Sequence, residues 1–299
     1  MPTTRWDGRG VRRGVFLGVI ACGAVVAAGC GSAQTASRDL GSVVKKTEGE
    51  RTGKYSVTFA ATQGQTSLVL YRLSGTFDNA RRLQDATMDL RPFIRQQPAS
   101  QRVGKVSDWL FEFLSDSSHP LLLYLRSPLF AESTFQKKLP PRGRNRPWIK
   151  FDIAATLRKK ASVLGPTMTS QLSGLLPGLG SPLAFLDAVA LVARSDGSEQ
   201  LSGVNTSRYR ADADFARHAA DLPRNMAKLL NLAKGAWKTR VWVSDGSLIR
   251  RVEATSPAIS GFQGGRVVVT WDFSHLGEAV KIQLPSADQV LDPFTMLPK

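Results

Sequence analysis

The sequence predicts an α+β fold in which an antiparallel β-sheet of about ten or eleven strands carries two or three helices on one face. Two observations lead to this class. From residue 55 onward most segments alternate apolar and polar residues with the period of two that is typical of half-buried strands. Helical spacing occurs in only two inserted regions and does not follow each strand, which excludes a doubly wound parallel sheet.

The strands show this alternation in both halves of the chain. In the N-terminal half the strand segments are TSLVLYRLSG, DATMDLR, DWLFEFLS, LLLYLR and WIKFDIA, and in the C-terminal half they are GVNTSRYRADA, GGRVVVTWDFS and EAVKIQLP. The segment YSVTFAAT comes before them. Its predicted apolar side consists of Tyr55, Val57, Phe59 and Ala61.

The segment TRVWVSDGSLIRRVE predicts a β-hairpin. Asp245-Gly246 is typical of a two-residue type I′ turn, which would place Trp242 opposite Ile249. That register fixes which side chains share a face. The predicted core face consists of Thr239, Val241, Val243, Leu248 and Val252.

Two longer helices are predicted between strands. Ser181-Pro182 is typical of a helix start, and the segment that it opens is apolar nearly all round as far as Ala193, so this helix must be covered on most sides. A second helix is expected over residues 223–234, with apolar residues on one face and its other face in water.

Residues 1–29 are predicted to be a lipoprotein signal peptide. Arg12-Arg13 precede 16 uncharged residues, Gly14 to Gly29. This run is shorter than the about 18 apolar residues of a membrane-spanning helix, and it suits the apolar region of a signal. Cys30 follows directly, and Ala-Ala-Gly-Cys30 resembles a bacterial lipobox, where the peptidase cleaves before a cysteine that carries diacylglycerol.

Cys30 is therefore the expected lipid attachment site. Residues 30–54 are expected to form a tether with one short helix around Leu40 to Lys46, and residues 55–299 a single domain.

An ordinary secretory signal would leave Cys30 as a lone thiol, a liability in an oxidising compartment. A twin-arginine route is less suitable because the phenylalanine of RRGVFL lies one place late. We expect the mature protein to be anchored on the outer face of the membrane.

The chain is strongly basic. It has 40 lysines and arginines against 24 acidic residues, a formal net charge of +16, and removal of residues 1–29 leaves 36 against 23. Such an excess favours contact with anionic lipid headgroups or acidic wall polymers, whereas nucleic acid is not expected as a partner outside the cytoplasm. A basic surface that only keeps the protein soluble is an equal alternative.

Motifs for catalysis or metal binding are missing from the sequence. His119, His218 and His275 lie far apart, and no GxSxG, HExxH or GxxxxGK[ST] pattern occurs. Ser42 and Lys45 match the SxxK of penicillin-recognising serine enzymes, but they lie in the predicted tether, and no SDN or KTG element follows. We expect no catalysis, no cofactor and no metal.

The C-terminal half resembles actinobacterial lipoproteins of the LppX and LprG type. The resemblance rests on RPWIKFD, GVNTSRYRAD, VWVSDGSLIRRVE and VVVTWDFSHLGEAVKIQLPSADQVLD, in this order, and covers about Trp148 to Asp292 together with the lipobox. It implies a LolA-like half-barrel over residues 55–299, in which a strongly curved antiparallel sheet wraps around the helices. Such a domain encloses an apolar cavity for acyl chains.

The resemblance further implies a non-catalytic carrier of lipids or lipoglycans in the cell envelope. Its ligand-binding residues would line the cavity, and the basic loop would hold an anionic headgroup by charge-assisted hydrogen bonds. The implied cavity residues are Trp109, Phe111, Phe113, Leu186, Val241, Val243, Trp271 and Phe273. The implied headgroup residues are Lys137, Lys138, Arg142, Arg144 and Arg146.

Two other functions stay open at this point. The same fold with a filled core could be a sensor or interaction module that binds an envelope transporter, another protein or an anionic polymer through its basic surface. An envelope hydrolase would need a nucleophile, a base and an oxyanion hole that converge in space. The sequence gives no sign of such a group.

Overall fold

The computed structural model of the chain describes residues 37–102, 105–116, 122–131, 137, 145–152, 192–213, 236–259 and 264–292. The chain divides into two units, Met1–Gln34 and Thr35–Lys299, and every described residue belongs to the second. The predicted signal peptide, Cys30 and the helix over residues 223–234 lie outside the described residues.

The described residues form one large, curved and open sheet of thirteen strands, more than the ten or eleven that the sequence predicts. The strands are β1 Ser37–Asp39, β2 Thr52–Gln63, β3 Thr66–Asp78, β4 Leu83–Asp89, β5 Leu110–Asp116, β6 Leu122–Arg126, β7 Trp148–Asp152, β8 Val192–Leu201, β9 Val204–Ala213, β10 Trp237–Ser244, β11 Ile249–Thr255, β12 Arg266–Ser274 and β13 Val290–Leu291. Their order is β1-β8-β9-β10-β11-β12-β2-β3-β4-β5-β6-β7-β13, and only the β13 and β7 pair is parallel.

Helices are few in the described ranges. The α-helices are α1 Gly41–Glu48 and α2 Arg91–Gln96, and the 3₁₀ turns are Ala99–Gln101, Val106–Asp108, Pro128–Ala131 and Ala287–Gln289. Within these ranges no helix has the length and apolar character that crossing a membrane requires.

The sheet consists of two meanders, β2 to β7 and β8 to β12, which are joined where β12 pairs with β2. Their register aligns apolar side chains into rows across the sheet, on what we call the inner face. One row is Tyr209, Val241, Val252, Trp271, Val57, Leu73, Met88 and Phe111. The alternation predicted for β2 and β12 is therefore confirmed, since Tyr55, Val57 and Phe59 lie opposite Phe273, Trp271 and Val269.

Residues 37–54 belong to the folded domain, so the predicted tether is wrong from residue 37 onward. The short helix expected within it is present as α1. Leu40, Val43 and Val44 are buried in the main hydrophobic core, because the apolar side of α1 packs against the inner face of the sheet. These few apolar residues within a polar segment were too weak a signal to predict that contact.

Thr47 joins α1 to the β10–β11 hairpin. Its hydroxyl donates to the Val43 carbonyl at 2.8 Å and accepts the Ile249 backbone N–H at 3.0 Å, and the residue is fully buried. Lys46 Nζ adds a hydrogen bond to the Gly246 carbonyl at 2.8 Å. The buried N–H at the start of β11 is therefore satisfied by a side chain of α1.

The predicted register of this hairpin is wrong. The loop has three residues, with Ser247 at a φ of 57°, and Ser244 N–H bonds the Leu248 carbonyl at 2.9 Å. An irregularity follows between Trp242 and Val243, so that Trp242 lies opposite Arg251 and Val243 opposite Ile249. Ile249 thus takes the fully buried place that was predicted for Leu248. A type I turn with a left-handed third residue explains the shift.

The segment EAVKIQLP is not a strand, which contradicts the sequence prediction. Residues 279–286 have no regular structure, and their apolar side chains cover the outer face of the first meander. The resulting second cluster consists of Leu83, Leu114, Tyr124, Trp148, Ile282 and Val290, with Leu122 and Val280 packed against it. Alternation in this segment therefore reflects contact with a sheet face and not pairing within the sheet.

Strand β8 was not predicted, and its first residues, Val192 and Ala193, had been assigned to the end of a helix. The strand is polar and is interrupted at Gly197, which has a φ of 106°. Its Asp196 carboxylate forms ion pairs with Arg210 Nε at 2.6 Å and Arg208 Nε at 2.9 Å, and Arg208 also donates hydrogen bonds to the Asp196 backbone carbonyl. Chiefly through the hydrogen bond from Arg210, these guanidinium groups hold the pKa of Asp196 below its usual value.

Replacement of Thr47 by valine tests the α1 contact. Thr47→Val keeps the shape of the side chain but leaves the buried Ile249 N–H without its acceptor, so we expect a loss of about 1–3 kcal/mol in the free energy of unfolding. Urea unfolding measures it. Thr58→Val on the opposite face of β2 is the matched control, and equal losses for the two variants would contradict the role of Thr47.

The Asp196 cluster predicts a pH dependence of stability. Because the folded-state pKa of Asp196 is lowered, its contribution is complete above the unfolded-state pKa of about 3.9 and is lost as the pH falls through the folded-state pKa. Asp196→Asn should therefore flatten the decline of the urea midpoint below about pH 4. An unchanged decline in the variant would show that Asp196 is not the group responsible.

Candidate functional site

The inner face differs between its two halves. Where β8 to β12 and α1 meet, large apolar side chains are fully buried, as Val241, Val243 and Ile249 are. On β2 to β7 and just before β5, a set of large apolar side chains is only partly buried, and we call this set the apolar stripe. It consists of Phe59, Tyr71, Met88, Trp109, Phe111, Leu125 and Phe151.

Aromatic contacts order the stripe. The rings of Phe59 and Tyr71 stack with centroids 5.0 Å apart and an angle of 8° between planes. Trp109 meets Phe111 edge to face at 6.3 Å, and Phe111 lies 6.5 Å from the buried Phe113. Such pairs hold rings in place beyond their simple burial. The stripe is therefore a continuous and preformed apolar surface along several strands.

The end of the inner face that lies next to α1 is tightly packed. A Cβ atom on Gly53 would lie 2.8 Å from the Phe77 ring, and one on Gly75 would lie 2.1 Å from the Asp85 carbonyl. Tyr55 lies opposite Gly75 in the pairing of β2 with β3, and the Tyr55 hydroxyl accepts a hydrogen bond from Gln84. Burial raises the pKa of this phenol above its usual value. Phe59, Met88 and Phe111 lie farther along the same strands, where the packing is less close and these side chains are only partly buried.

The electrostatics of the stripe favour uncharged groups. Burial raises the pKa of Tyr71 to about 12, so this phenol stays neutral even in mildly alkaline solution. Tyr71 is the one ionisable residue of the stripe, since the others are phenylalanine, tryptophan, methionine and leucine. Hydrocarbon fits such a surface, whereas an ionised group would lose its hydration there without a partner.

The predicted cavity residues are divided between the stripe and the core. Phe111 is in the stripe, and Trp109, which precedes β5, joins it through its ring contact. The others in the described ranges are buried within the hydrophobic core on the inner face, and these are Phe113, Val241, Val243, Trp271 and Phe273. Leu186 lies outside the described residues, as does most of its helix.

Several stripe residues were not among the predicted cavity residues. Phe59 stood on the predicted apolar side of its strand, and Met88 lies between Ala86 and Leu90 in the alternation of DATMDLR, so their face was already indicated. Their partial exposure was not, because it depends on which part of the sheet other segments cover. Tyr71, Leu125 and Phe151 were missed for the same reason.

The predicted headgroup loop is only partly described. Lys137 is exposed, and Arg146 Nη1 donates to the Val290 carbonyl at 2.6 Å. Arg146 therefore holds β13 beside β7. Lys138, Arg142 and Arg144 lie outside the described residues, so the loop's role in binding a headgroup stays a prediction.

A separate concavity of about 520 Å³ lies on the outer face of β2 to β7. Its lining combines charged and hydroxyl side chains with apolar ones such as Leu114 and Trp148, and several of its polar groups already have partners. Asp85 accepts the Thr76 N–H at 2.7 Å, and Glu112 pairs with Arg126, whose guanidinium lies 4.9 Å from the Trp148 ring centroid. The apolar stripe carries no charged group and therefore suits an acyl chain better than this concavity does. No group of three or more metal-ligating side chains occurs in the ranges that the structure describes.

Comparison with known proteins gives similarity among solved structures only. No protein-family model matches the chain, and no curated protein matches it. LprF from Mycobacterium bovis is 15% identical, with 83% of this chain and 95% of LprF covered at a TM-score of 0.44. The Mycobacterium tuberculosis lipoprotein LppX is also 15% identical, with 82% and 98% covered at a TM-score of 0.39.

LppX is of the type that the sequence motifs resemble. A third structure, a DUF1329 family protein from Desulfovibrio piger, is 10% identical, with 87% of this chain and 97% of that chain covered at a TM-score of 0.26. All three TM-scores lie below 0.5.

Proposed function

We propose that this protein is a non-catalytic, membrane-anchored lipoprotein of the cell envelope that binds the acyl chains of a lipid or lipoglycan along the apolar stripe. The observation that carries the proposal is the partial exposure of large apolar side chains on the inner face of the sheet. Soluble domains normally bury such a set completely, and a contiguous apolar surface that stays partly accessible to solvent marks a binding site.

Chemistry at the stripe supports a hydrocarbon ligand. Phe59, Met88 and Phe111 offer rings and a flexible thioether, which adapt to a chain of CH₂ groups. Each CH₂ group removed from water contributes about 0.8 kcal/mol, so a bound chain of several carbons gains substantial affinity without any polar contact. The lipid headgroup would remain outside the stripe.

Anchoring would place the domain near its ligand. In this proposal Cys30 carries the lipid modification, and cleavage before it removes the signal peptide. The domain would then begin within a few residues of the membrane surface, since β1 starts at Ser37. Lipids do not leave a membrane freely, so this position would keep the carrier close to its ligand.

Substitutions at the stripe test the proposal. Met88→Gln and Phe111→Ser remove apolar contact that we estimate at about 1–2 kcal/mol each, so each should weaken acyl-chain binding roughly tenfold. The measurement is titration of the purified protein with a fluorescent fatty acid, together with native mass spectrometry for lipid that co-purifies.

The adjacent residues Thr87 and Leu110 are matched controls, because they lie on the same two strands with the opposite orientation. Thr87→Gln and Leu110→Ser should leave binding within about twofold. A protein that carries no lipid and takes up none when it is offered would contradict the proposal, and would favour the sensor or interaction module instead.

A further inference from the structure

The described part of the connection between β4 and β5 forms a surface at the end of the apolar stripe, and we call residues 90–102 and 105–109 the β4–β5 rim. It starts and ends beside the stripe, because Leu90 N–H bonds the carbonyl of the stripe residue Trp109 at 3.0 Å. Helix α2 packs against β3, with Ile94 buried as its anchor. The rim is thus fixed to the sheet next to the partly exposed rings.

Phe93 projects from this rim. It is 36% exposed, and only Phe93 and Leu284 are exposed large apolar side chains in the described ranges. Its neighbour Ile94 points inward, so the short helix sends one apolar residue into the core and the other into solvent. An exposed phenylalanine on a basic segment is a feature of surfaces that enter the interface of a bilayer.

The charge of the rim is one-sided. Residues 90–107 contain four basic residues and no acidic residue. Arg91 is neutralised by Asp89, with Nε to Oδ1 at 2.8 Å and Nη2 to Oδ2 at 2.9 Å. The one carboxylate of the rim, that of Asp108, follows these residues and is buried, and its Oδ2 accepts the Lys105 backbone N–H at 2.7 Å. It faces the backbone of the turn.

Three cations remain without a carboxylate partner among the described residues, and they are Arg95, Arg102 and Lys105. Arg102 is held in place by backbone carbonyls, with Nε to Gln97 O at 2.9 Å and Nη2 to Arg95 O at 2.8 Å. These bonds orient the guanidinium but leave its charge uncompensated. Arg95 and Lys105 are exposed.

We propose that the β4–β5 rim docks on an anionic phospholipid bilayer, with Phe93 in the interface and Arg95, Arg102 and Lys105 against the lipid phosphates. This inference rests on the proposed function, because docking would set the end of the apolar stripe against the membrane from which a lipid is taken. Cations near an anionic surface and an inserted aromatic ring act together in such binding. The rim is separate from the predicted headgroup loop around Lys137, whose role stays a prediction.

Depth-dependent quenching in the anchored full-length protein tests the docking. A fluorophore is attached to a cysteine introduced by Gln96→Cys in α2, or by Lys45→Cys in α1 at the other end of the inner face, and both positions are exposed. The unchanged chain is the labelling blank. In vesicles of phosphatidylcholine and phosphatidylglycerol at about 7:3, nitroxide lipids should quench the label at 96 about threefold more than the label at 45.

Substitutions in the Gln96→Cys chain separate the two parts of the contact. Phe93→Ser, and separately Arg95→Glu with Lys105→Glu, should each reduce quenching at 96 to the level seen at 45, and so should pure phosphatidylcholine. Lys45→Glu with Lys281→Glu is the matched charge control and should leave quenching at 96 unchanged. Urea midpoints of all variants check that they are folded.

Equal quenching at 96 and 45 would overturn the docking proposal, as would quenching at 96 that survives the charge reversal or the change to neutral lipid. Acyl-chain uptake is measured in the same preparations. If the protein takes up acyl chains but the label at 96 is quenched no more than the label at 45, the docking alone is refuted. If the label at 96 is quenched more strongly but no acyl chain is taken up, the proposed function alone is refuted.

Discussion

The pairing of β12 with β2 is the contact on which the rest of the structure depends. It joins the two meanders through strands that are far apart in the sequence, and its register from Arg266 and Thr62 to Ser274 and Lys54 decides which side chains share a face. A slip by one residue would turn the apolar side of a whole strand into water. With this register, the apolar rows of both meanders form a single inner face.

An apolar face of this size has to be covered, and the two ends of the inner face differ in how completely their side chains are buried. At one end α1 closes the surface, and the buried hydroxyl of Thr47 satisfies a backbone group that the hairpin irregularity leaves without a ladder partner. At the other end, rings of Phe59, Tyr71 and Phe111 stay partly exposed. The proposed lipid site is the consequence of this asymmetry.

The sequence predicted the antiparallel sheet because alternation is a local property of each strand. It predicted the faces of β2 and β12 correctly for the same reason. It failed at the β10–β11 register, where Ser247 adopts a left-handed conformation that Asp245-Gly246 did not indicate. It also failed at β8, whose polar residues form ion pairs across strands and show no apolar period.

The site was harder to predict than the fold. Alternation places Met88 and Phe111 on the apolar face, but it does not tell which part of that face is exposed, since exposure depends on segments distant in the sequence. The same limit applies to EAVKIQLP, whose Ile282 is buried against the outer face without any strand pairing. Arg146 likewise turned out to bind the Val290 carbonyl, a partner 144 residues away.

Photo-crosslinking with a fatty acid that carries a diazirine on its chain tests the central claim most directly. Peptide mapping by mass spectrometry should find the label on the stripe, above all on Met88, Phe111 and Phe151, and competition with unlabelled fatty acid should remove it. Labelling confined to outer-face residues such as Thr87 and Trp148, or spread evenly over both faces, would contradict the account.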